Sequence, residues 1–275
     1  MNKSIHLAKK QDIPALCEIW KQCFSDSDEY IRCFYSRNFE RIKVLAYYIN
    51  ETPVSMVHLI NTSFDSNAMH QDAVFIYATG TLIEHRGNGY MGKLLGIITE
   101  KAKKEGRALF LKPSSPNLLS YYEKFGFVPD SCFNLVLFDS EKAQPIEYRK
   151  LSAQEYNKMR EAAFSEIPHA KWEDAHIQWC IEENELFFGK TLGIKHGGRD
   201  YFILGYPEED TLVINETNLS ANMLKELGGS LCSVFDTKRI YAYMPNQTCP
   251  EGEKSTANLV YNSLICNPYL NMILI

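Results

Sequence analysis

The chain has 275 residues, 45% apolar and 23% charged, which bounds it to one large or two ordinary globular domains with real cores. A net charge of −5 with no Lys/Arg stripe argues against nucleic acid as the main partner, and is compatible with a cationic substrate. Eight scattered cysteines make no C-x-x-C pair and no Cys/His cluster at zinc spacing, so a reduced, cytoplasmic protein without a metal is expected. The start "MNKSIHLAKKQD" lacks the apolar region of a signal peptide, and no apolar run is long enough for a membrane span.

Along the chain, "SIHLAK" reads as a short strand. "DIPALCEIWKQCF" follows with Ile13, Leu16, Ile19, Trp20 and Phe24 at helical spacing, Asp12 as N-cap and Pro14 in the first turn. "DSDEYIRCFYSRNF" continues as a second helix behind an acidic first turn. Three strands are predicted at "KVLAYYI", "PVSMVHLI" and "AVFIYATGTLI". A glycine loop, "HRGNGYMG", then opens the helix "YMGKLLGIITEKAKKEG", whose Met91, Leu94, Leu95, Ile98 and Ala102 share one face and which Gly106 stops. "ALFLKP" is a buried-type strand, "SPNLLSYYEKFG" a short helix capped by Ser115, and "CFNLVLF" the closing strand of the first half.

Residues 139–147, polar and containing a proline, read as a linker between a domain at 1–138 and a second at 148–275. Beyond them the order of elements begins again. Two helices, at "RKLSAQEYNKMREAAFS" and "KWEDAHIQWCIEEN", precede strands at "FFGKTLGI", "DYFILGY" and "TLVINETNL". The helix "ANMLKELGGSLC" and the strand "RIYAYMP" complete the echo. This is a degenerate duplication that keeps element order and little identity. The second copy has "ETNLSANML" where the first has its glycine loop.

Gly87, Gly89 and Gly92 spell G-x-G-x-x-G, the fingerprint of a dinucleotide turn. That reading requires an acidic residue ending the next strand for the ribose, and "ALFLKP" offers Lys112 instead. Another diphosphate meets every demand. Amides bared by glycines at a helix mouth form a nest for anionic oxygens, and Arg86 adds a forked cation at the same place.

Together, "TLIEHRGNGYMGKLL" and "NLLSYYEKFGF" resemble the GNAT superfamily of acetyl-CoA-dependent N-acetyltransferases, whose R-x-x-G-x-G/A loop grips the coenzyme A pyrophosphate. Arg86, Gly89 and the spacing to Tyr122, Gly126 and Phe127 match; Met91 stands where the second glycine or alanine is usual, with Gly92 just after. The chain also resembles the Eis-type branch, which tolerates a large apolar residue there and carries two GNAT-like folds in tandem. The third, sterol-carrier-like domain of that branch has no counterpart in these residues. The fold implied is α/β (α+β): two tandem GNAT-like domains, each a mixed, mostly antiparallel sheet flanked by helices, with the cofactor motif in the first alone.

The resemblance implies acetyl transfer to a primary amine, with acetyl-CoA as co-substrate and no metal. It assigns main-chain contacts with the pantetheine and thioester to Thr79, Gly80 and Thr81. Arg86, Gly87, Asn88, Gly89, Tyr90, Met91 and Gly92 would hold the pyrophosphate, Asn117 the CoA arm, and Tyr122 would be general acid to the departing thiolate. For the general base it offers a strand carboxylate, a water chain or a C-terminal carboxylate; Asp72, Glu84 and Ile275 are the groups at hand, with water the default. His58 and His85 read as structural or exposed, and Asp26, Asp28 and Glu29 as an acidic helix start rather than an amine site. Partners implied are a small-molecule or peptide amine, no nucleic acid and no membrane, with homo-oligomerisation open. The alternative is a non-catalytic acyl-CoA-binding sensor that keeps the loop and has lost turnover.

Overall fold

The computed structural model describes residues 2–131, 133–139, 143–245, 247, 253–254 and 258–270. Ile275, Cys132, Cys249 and the middle of the expected linker lie outside them. In chain order the first elements are β1 (Lys3–Leu7), α1 (Ile13–Cys23), α2 (Asp28–Asn38), β2 (Lys43–Ile49), β3 (Thr52–Asp65) and β4 (His70–Thr81). Next come α3 (Tyr90–Glu105), β5 (Ala108–Leu111), α4 (Leu119–Glu123), β6 (Val128–Ser131) and β7 (Phe133–Asp139). There follow β8 (Glu147–Lys150), α5 (Ala153–Phe164), β9 (His169–Lys171), α6 (Asp174–Leu186), β10 (Lys190–His196) and β11 (Arg199–Glu208). The last are β12 (Thr211–Thr217), α7 (Ala221–Phe235), β13 (Arg239–Pro245), β14 (Glu253–Lys254) and β15 (Asn258–Tyr261). Among the described residues no helix is long and apolar enough to cross a membrane.

Two compact units emerge, residues 1–62, 71–129 and 259–264 in one and 63–70, 130–258 and 265–275 in the other. In the first, the strands run β1-β2-β3-β4-β5-β15-β6. β4 and β5 are parallel, while β1–β2, β2–β3 and β5–β15 are antiparallel. In the second, the order is β8-β10-β11-β12-β13-β7-β14, again with one parallel pair, β12 and β13. Strand for strand the two sheets repeat one plan, with the parallel pair at the same place.

The run "CFNLVLF", expected to close the first sheet, instead pairs through Phe133–Asp139 with β13 of the second. Its place in the first sheet is taken by β15, where Leu259, Val260 and Tyr261 register with Leu111, Phe110 and Leu109. The sixth strand of each sheet, β15 in the first and β7 in the second, therefore comes from a distant stretch of chain, which a local pattern cannot assign. The start of the expected linker is strand rather than loop, and Gln144 is strapped to α7 by a pair of hydrogen bonds with Ser230 Oγ.

Local chemistry explains the elements around the loop. α3 buries Leu94, Leu95, Ile98 and Ala102 as one stripe, each large side chain contributing roughly 1.5–3 kcal/mol. Gly106, left-handed at φ 66, turns its amide back on Ala102 and Lys103 and ends the helix. α1 begins at Ile13 with Pro14 in its first turn and Asp12 at the N-cap position as expected, yet the Asp12 side chain makes no capping hydrogen bond. The Asp12 carboxylate instead accepts from the Lys9 amide and the Tyr48 hydroxyl, both at 2.8 Å. Ser115 likewise starts the 3-10 turn Pro116–Leu118 through its carbonyl, not its side chain.

Candidate functional site

The centre of the first unit is the far end of β4. Parallel pairing with β5 is registered at Ala73, Val74 and Phe75, after which β4 runs on to Thr81 without a β5 partner. The two strands thus part where the main chain of Thr79, Gly80 and Thr81 lies. Ala78 kinks the strand at φ 41, a left-handed conformation that a non-glycine residue adopts only when its surroundings enforce it. Two side chains of β3 do so: His58 Nδ1 is 3.1 Å from the Ala78 carbonyl, and Ser55 Oγ donates to the Gly80 carbonyl at 3.2 Å. Ser55 Oγ also meets Thr81 Oγ1 at 2.8 Å. Gly80 has a packing reason of its own, since a Cβ there would sit 3.0 Å from both Ile19 Cγ2 and Cys23 Sγ of α1.

Past β4, a 3-10 turn at Ile83–His85 leads into the glycine loop. Gly87 and Gly89 take φ values of 79 and 73, and nothing within 4 Å would meet a Cβ at either. Gly89 is the N-cap of α3 and contributes backbone alone. The amides of Gly87 through Gly92 donate to no backbone carbonyl among the described residues, and those of Tyr90, Met91 and Gly92 belong to the first turn of α3, at the positive end of its dipole. Gly92 lets α3 approach Phe125, whose Cζ would stand 3.4 Å from an added Cβ.

Not every loop side chain faces outward. Asn88 Nδ2 turns back on the carbonyls of His85 and Arg86, at 3.1 and 3.3 Å. Tyr90 is buried and stacked on Tyr47 with centroids 4.2 Å apart. Arg86 is exposed, with Nε donating to the Thr81 carbonyl at 3.2 Å and Nη2 reaching the Gln22 carbonyl at 3.5 Å and Cys23 Sγ at 3.6 Å. Its fork ties the end of β4 to the Gln22 carbonyl and the Cys23 sulfur at the end of α1 while its charge stays beside the loop.

On α4, Tyr122 is buried, and its hydroxyl lies 3.0 Å from Thr79 Oγ1. Burial pushes the Tyr122 phenol above its ordinary range, partly offset by the Thr79 hydrogen bond, so it carries its proton at neutral pH. Asn117 stands exposed in the 3-10 turn ahead of α4. Tyr121 packs edge-on against Tyr122 and Phe125, an aromatic neighbour rather than a second acid.

The other charged candidates lie apart from this centre. Asp72 is at the opposite end of β4 and Glu84 is exposed in the turn before the loop. His58 is wholly buried, and burial holds it down to about 4, in keeping with the structural role expected of it. Asp26 accepts from Trp20 Nε1 at 2.8 Å, and Asp28 is bonded to Lys21 at 2.7 Å, which lowers its pKa. Neither is an unengaged carboxylate. Ser55, Cys23 and Tyr35 were not singled out in the sequence; the polar pair Ser55 and His58 inside the apolar run "PVSMVHLI" was the available signal. Among the described residues no cluster of His, Cys, Asp or Glu could hold a metal ion.

Residues 4–129 match the family model of the acetyltransferase (GNAT) domain. Similar solved structures include a GCN5-related N-acetyltransferase from Kribbella flavida, 14% identical over 94% of this chain and 70% of that one, with a TM-score of 0.71. A GCN5-related N-acetyltransferase from Anabaena variabilis is 13% identical over 94% and 72%, with a TM-score of 0.72. Eis1 from Mycobacterium abscessus is 10% identical over 94% and 73%, with a TM-score of 0.65. No curated protein matches the chain by sequence. At these identities the structural likeness speaks for the fold, and it extends over both units. The matched residues 4–129 are those in which the kinked end of β4, the glycine loop and Tyr122 all lie, so the likeness to an acetyltransferase (GNAT) domain falls on the site itself.

Proposed function

We propose that the first unit transfers an acetyl group from acetyl-CoA directly to the primary amine of a small molecule or peptide, with Tyr122 as general acid. The observation that carries this is the Tyr122 hydroxyl 3.0 Å from Thr79, beside the main chain of β4 that has left β5 and to which the resemblance to GNAT domains assigns the thioester. The loop fits a diphosphate: Gly87 and Gly89 leave open space over amides that donate to no backbone carbonyl among the described residues, and Arg86 holds a positive charge alongside. The amides of Gly87, Asn88, Gly89, Tyr90, Met91 and Gly92 would bond the phosphate oxygens. Asn117 would meet the CoA arm, and Thr79, Gly80 and Thr81 would present main chain to the pantetheine.

In the reaction the amine lone pair attacks the thioester carbon, and the C–S bond breaks with its electron pair going to sulfur. The Tyr122 O–H then breaks and its proton forms the S–H bond of the leaving thiol. The amine loses its proton to water, since Asp72 and Glu84 lie at the two ends of β4's course rather than beside Thr79. The second unit is read as non-catalytic. Its described cysteines, Cys180, Cys232 and Cys266, and those of the first unit are free thiols, consistent with a reducing cytoplasm.

A second reading, an acyl-CoA sensor without turnover, is favoured by the lack of any carboxylate in β4 between Ala73 and Thr81. The test is release of CoA thiol with acetyl-CoA and a panel of polyamines, aminoglycosides and lysyl peptides, wild type beside Tyr122→Phe, with the acetylated amine followed by mass spectrometry. Transfer that falls roughly a hundredfold or more in Tyr122→Phe supports the enzyme. Calorimetric binding of acetyl-CoA with no acetylated amine leaves the sensor.

A further inference from the structure

Burial of Tyr122 keeps its phenol protonated but also opposes the charge it acquires when it gives that proton away. The Thr79 hydroxyl, 3.0 Å from the phenol oxygen, is the hydrogen-bond partner found for it among the described residues. Each hydroxyl has a single proton. If Tyr122 donated to Thr79, its one proton would be engaged by β4 and withheld from a departing sulfur. If Thr79 donates, the phenol proton is turned outward and the oxygen is already solvated for the negative charge that follows. Resting on the reading above, we infer that Thr79 is a positioning residue for Tyr122: its Oγ1–H donates to the phenol oxygen, directs the acidic proton towards the departing sulfur and carries part of the phenolate charge as the S–H bond forms. This role belongs to the side chain and is separate from the main-chain contact of the same residue with substrate.

The placement of Thr79 is not left to its own rotamer. It follows the Ala78 kink, which His58 fixes at the Ala78 carbonyl, and precedes Gly80, whose carbonyl accepts from Ser55. The two hydroxyls are 43 residues apart in sequence and meet because α4 covers the point where β4 has left β5.

The test compares Thr79→Val, which keeps the branched shape and strand preference but removes the donor, with Thr79→Ser, which restores it. Thr79→Val lowers kcat for acetyl transfer roughly ten- to hundredfold at unchanged KM for acetyl-CoA, and Thr79→Ser stays within about threefold of wild type. Combined with Tyr122→Phe, Thr79→Val adds no further loss, because its effect passes through the phenol. A Thr79→Val enzyme with wild-type kcat, or one that slows Tyr122→Phe by its full factor again, overturns the inference while the acetyltransferase reading stands. Wild-type turnover in Tyr122→Phe instead overturns the acid assignment itself. Should no amine of the panel be acetylated, NMR of protein carrying ring-labelled tyrosine decides. The Tyr122 signal, identified by its loss in Tyr122→Phe, titrates at higher pH in Thr79→Val if the donor exists, and at the same pH if it does not.

Discussion

The Tyr35 hydroxyl stands 2.9 Å from His58 Nε2, and the other nitrogen of the same ring stands 3.1 Å from the Ala78 carbonyl. A carbonyl can only accept, so Nδ1 carries the hydrogen and Nε2 accepts from Tyr35. The ring is neutral with both nitrogens satisfied, linking α2 through β3 to the kink of β4. Burial holds its pKa down to about 4 from 6.5. Between those values the unfolded chain binds a proton that the folded one refuses, so stability present above pH 6.5 is lost as the pH falls towards 4. At about 1.4 kcal/mol per unit, the loss approaches ~3 kcal/mol by the lower end. Hydrogen exchange of the β3 and β4 amides at pH 7 and pH 5 measures it. His58→Gln, less stable at pH 7, is expected to show a much flatter dependence over that interval. An equal slope in the variant would place the sensitivity elsewhere.

Arg86 has two duties that substitutions separate. Its Nε and Nη2 brace Thr81 and Gln22, while its charge stands by amides that would hold phosphate. Arg86→Lys keeps the charge and loses the fork, and Arg86→Ala loses both. Acetyl-CoA affinity is expected to fall roughly tenfold in the alanine variant and less in the lysine variant, tenfold being about 1.4 kcal/mol. Wild-type and lysine affinities weaken as salt rises, and the alanine curve is flatter. Calorimetry from low to high salt checks both parts, and equal affinities in all three proteins would remove Arg86 from the binding site.

Gly80 is small for the sake of α1. An alanine there would bring its Cβ to 3.0 Å from both Ile19 Cγ2 and Cys23 Sγ, tighter than ordinary contact. Gly80→Ala is expected to destabilise the first unit by about 1–2 kcal/mol through overpacking. Adding Cys23→Ala frees the crowded side and returns part of that loss, a coupling that thermal melts of the two single variants and the double variant read directly. Additive melts would mean that Cys23 is not the obstacle.

What could be read beforehand was local. The periodic stripe of α3, its glycine stop and the glycines ahead of it sit within one stretch of chain, and their spacing carries the helix and the proposed anion seat together. The strand order was less legible. Phe133–Asp139 has the pattern of a strand anywhere, and its pairing with β13 rather than with β5 is settled by contacts about a hundred residues away. The short β9 gave no periodic signal in three residues. Side-chain direction was invisible too: Arg86 and Asn88 lie in the loop as expected, but part of their donor capacity is directed back at the protein. The Thr79–Tyr122 contact depends on two strands parting, which no linear pattern records.

The second unit holds at the corresponding place a group that the sequence hid. β12 is registered with β13 only as far as Ile214, and Glu216 follows where that pairing has ended, still registered with Leu204 of β11, much as Thr79 follows the end of the β4–β5 pairing. Its carboxylate is fully buried, accepts from the Tyr156 hydroxyl at 2.7 Å and meets Arg160 Nε at 3.1 Å, itself fully buried on α5. Burial works against the Arg160 charge, but Glu216 and Glu161 outweigh it and raise its pKa. The region that would receive a thioester is thus occupied by the unit's own ion pair, and "ETNLSANML" offers no glycine amides to replace it. Removing one partner strands a buried charge, so Arg160→Met or Glu216→Leu alone should cost about 3–5 kcal/mol, whereas the double apolar replacement should recover most of that loss. Hydrogen exchange on β12 and α5 reports the stability of this unit without demanding a two-state transition of the whole chain. Calorimetry on the double variant should still count one acetyl-CoA per chain; a second site appearing there would mean that the ion pair, rather than the missing glycine loop, is what keeps this unit from binding.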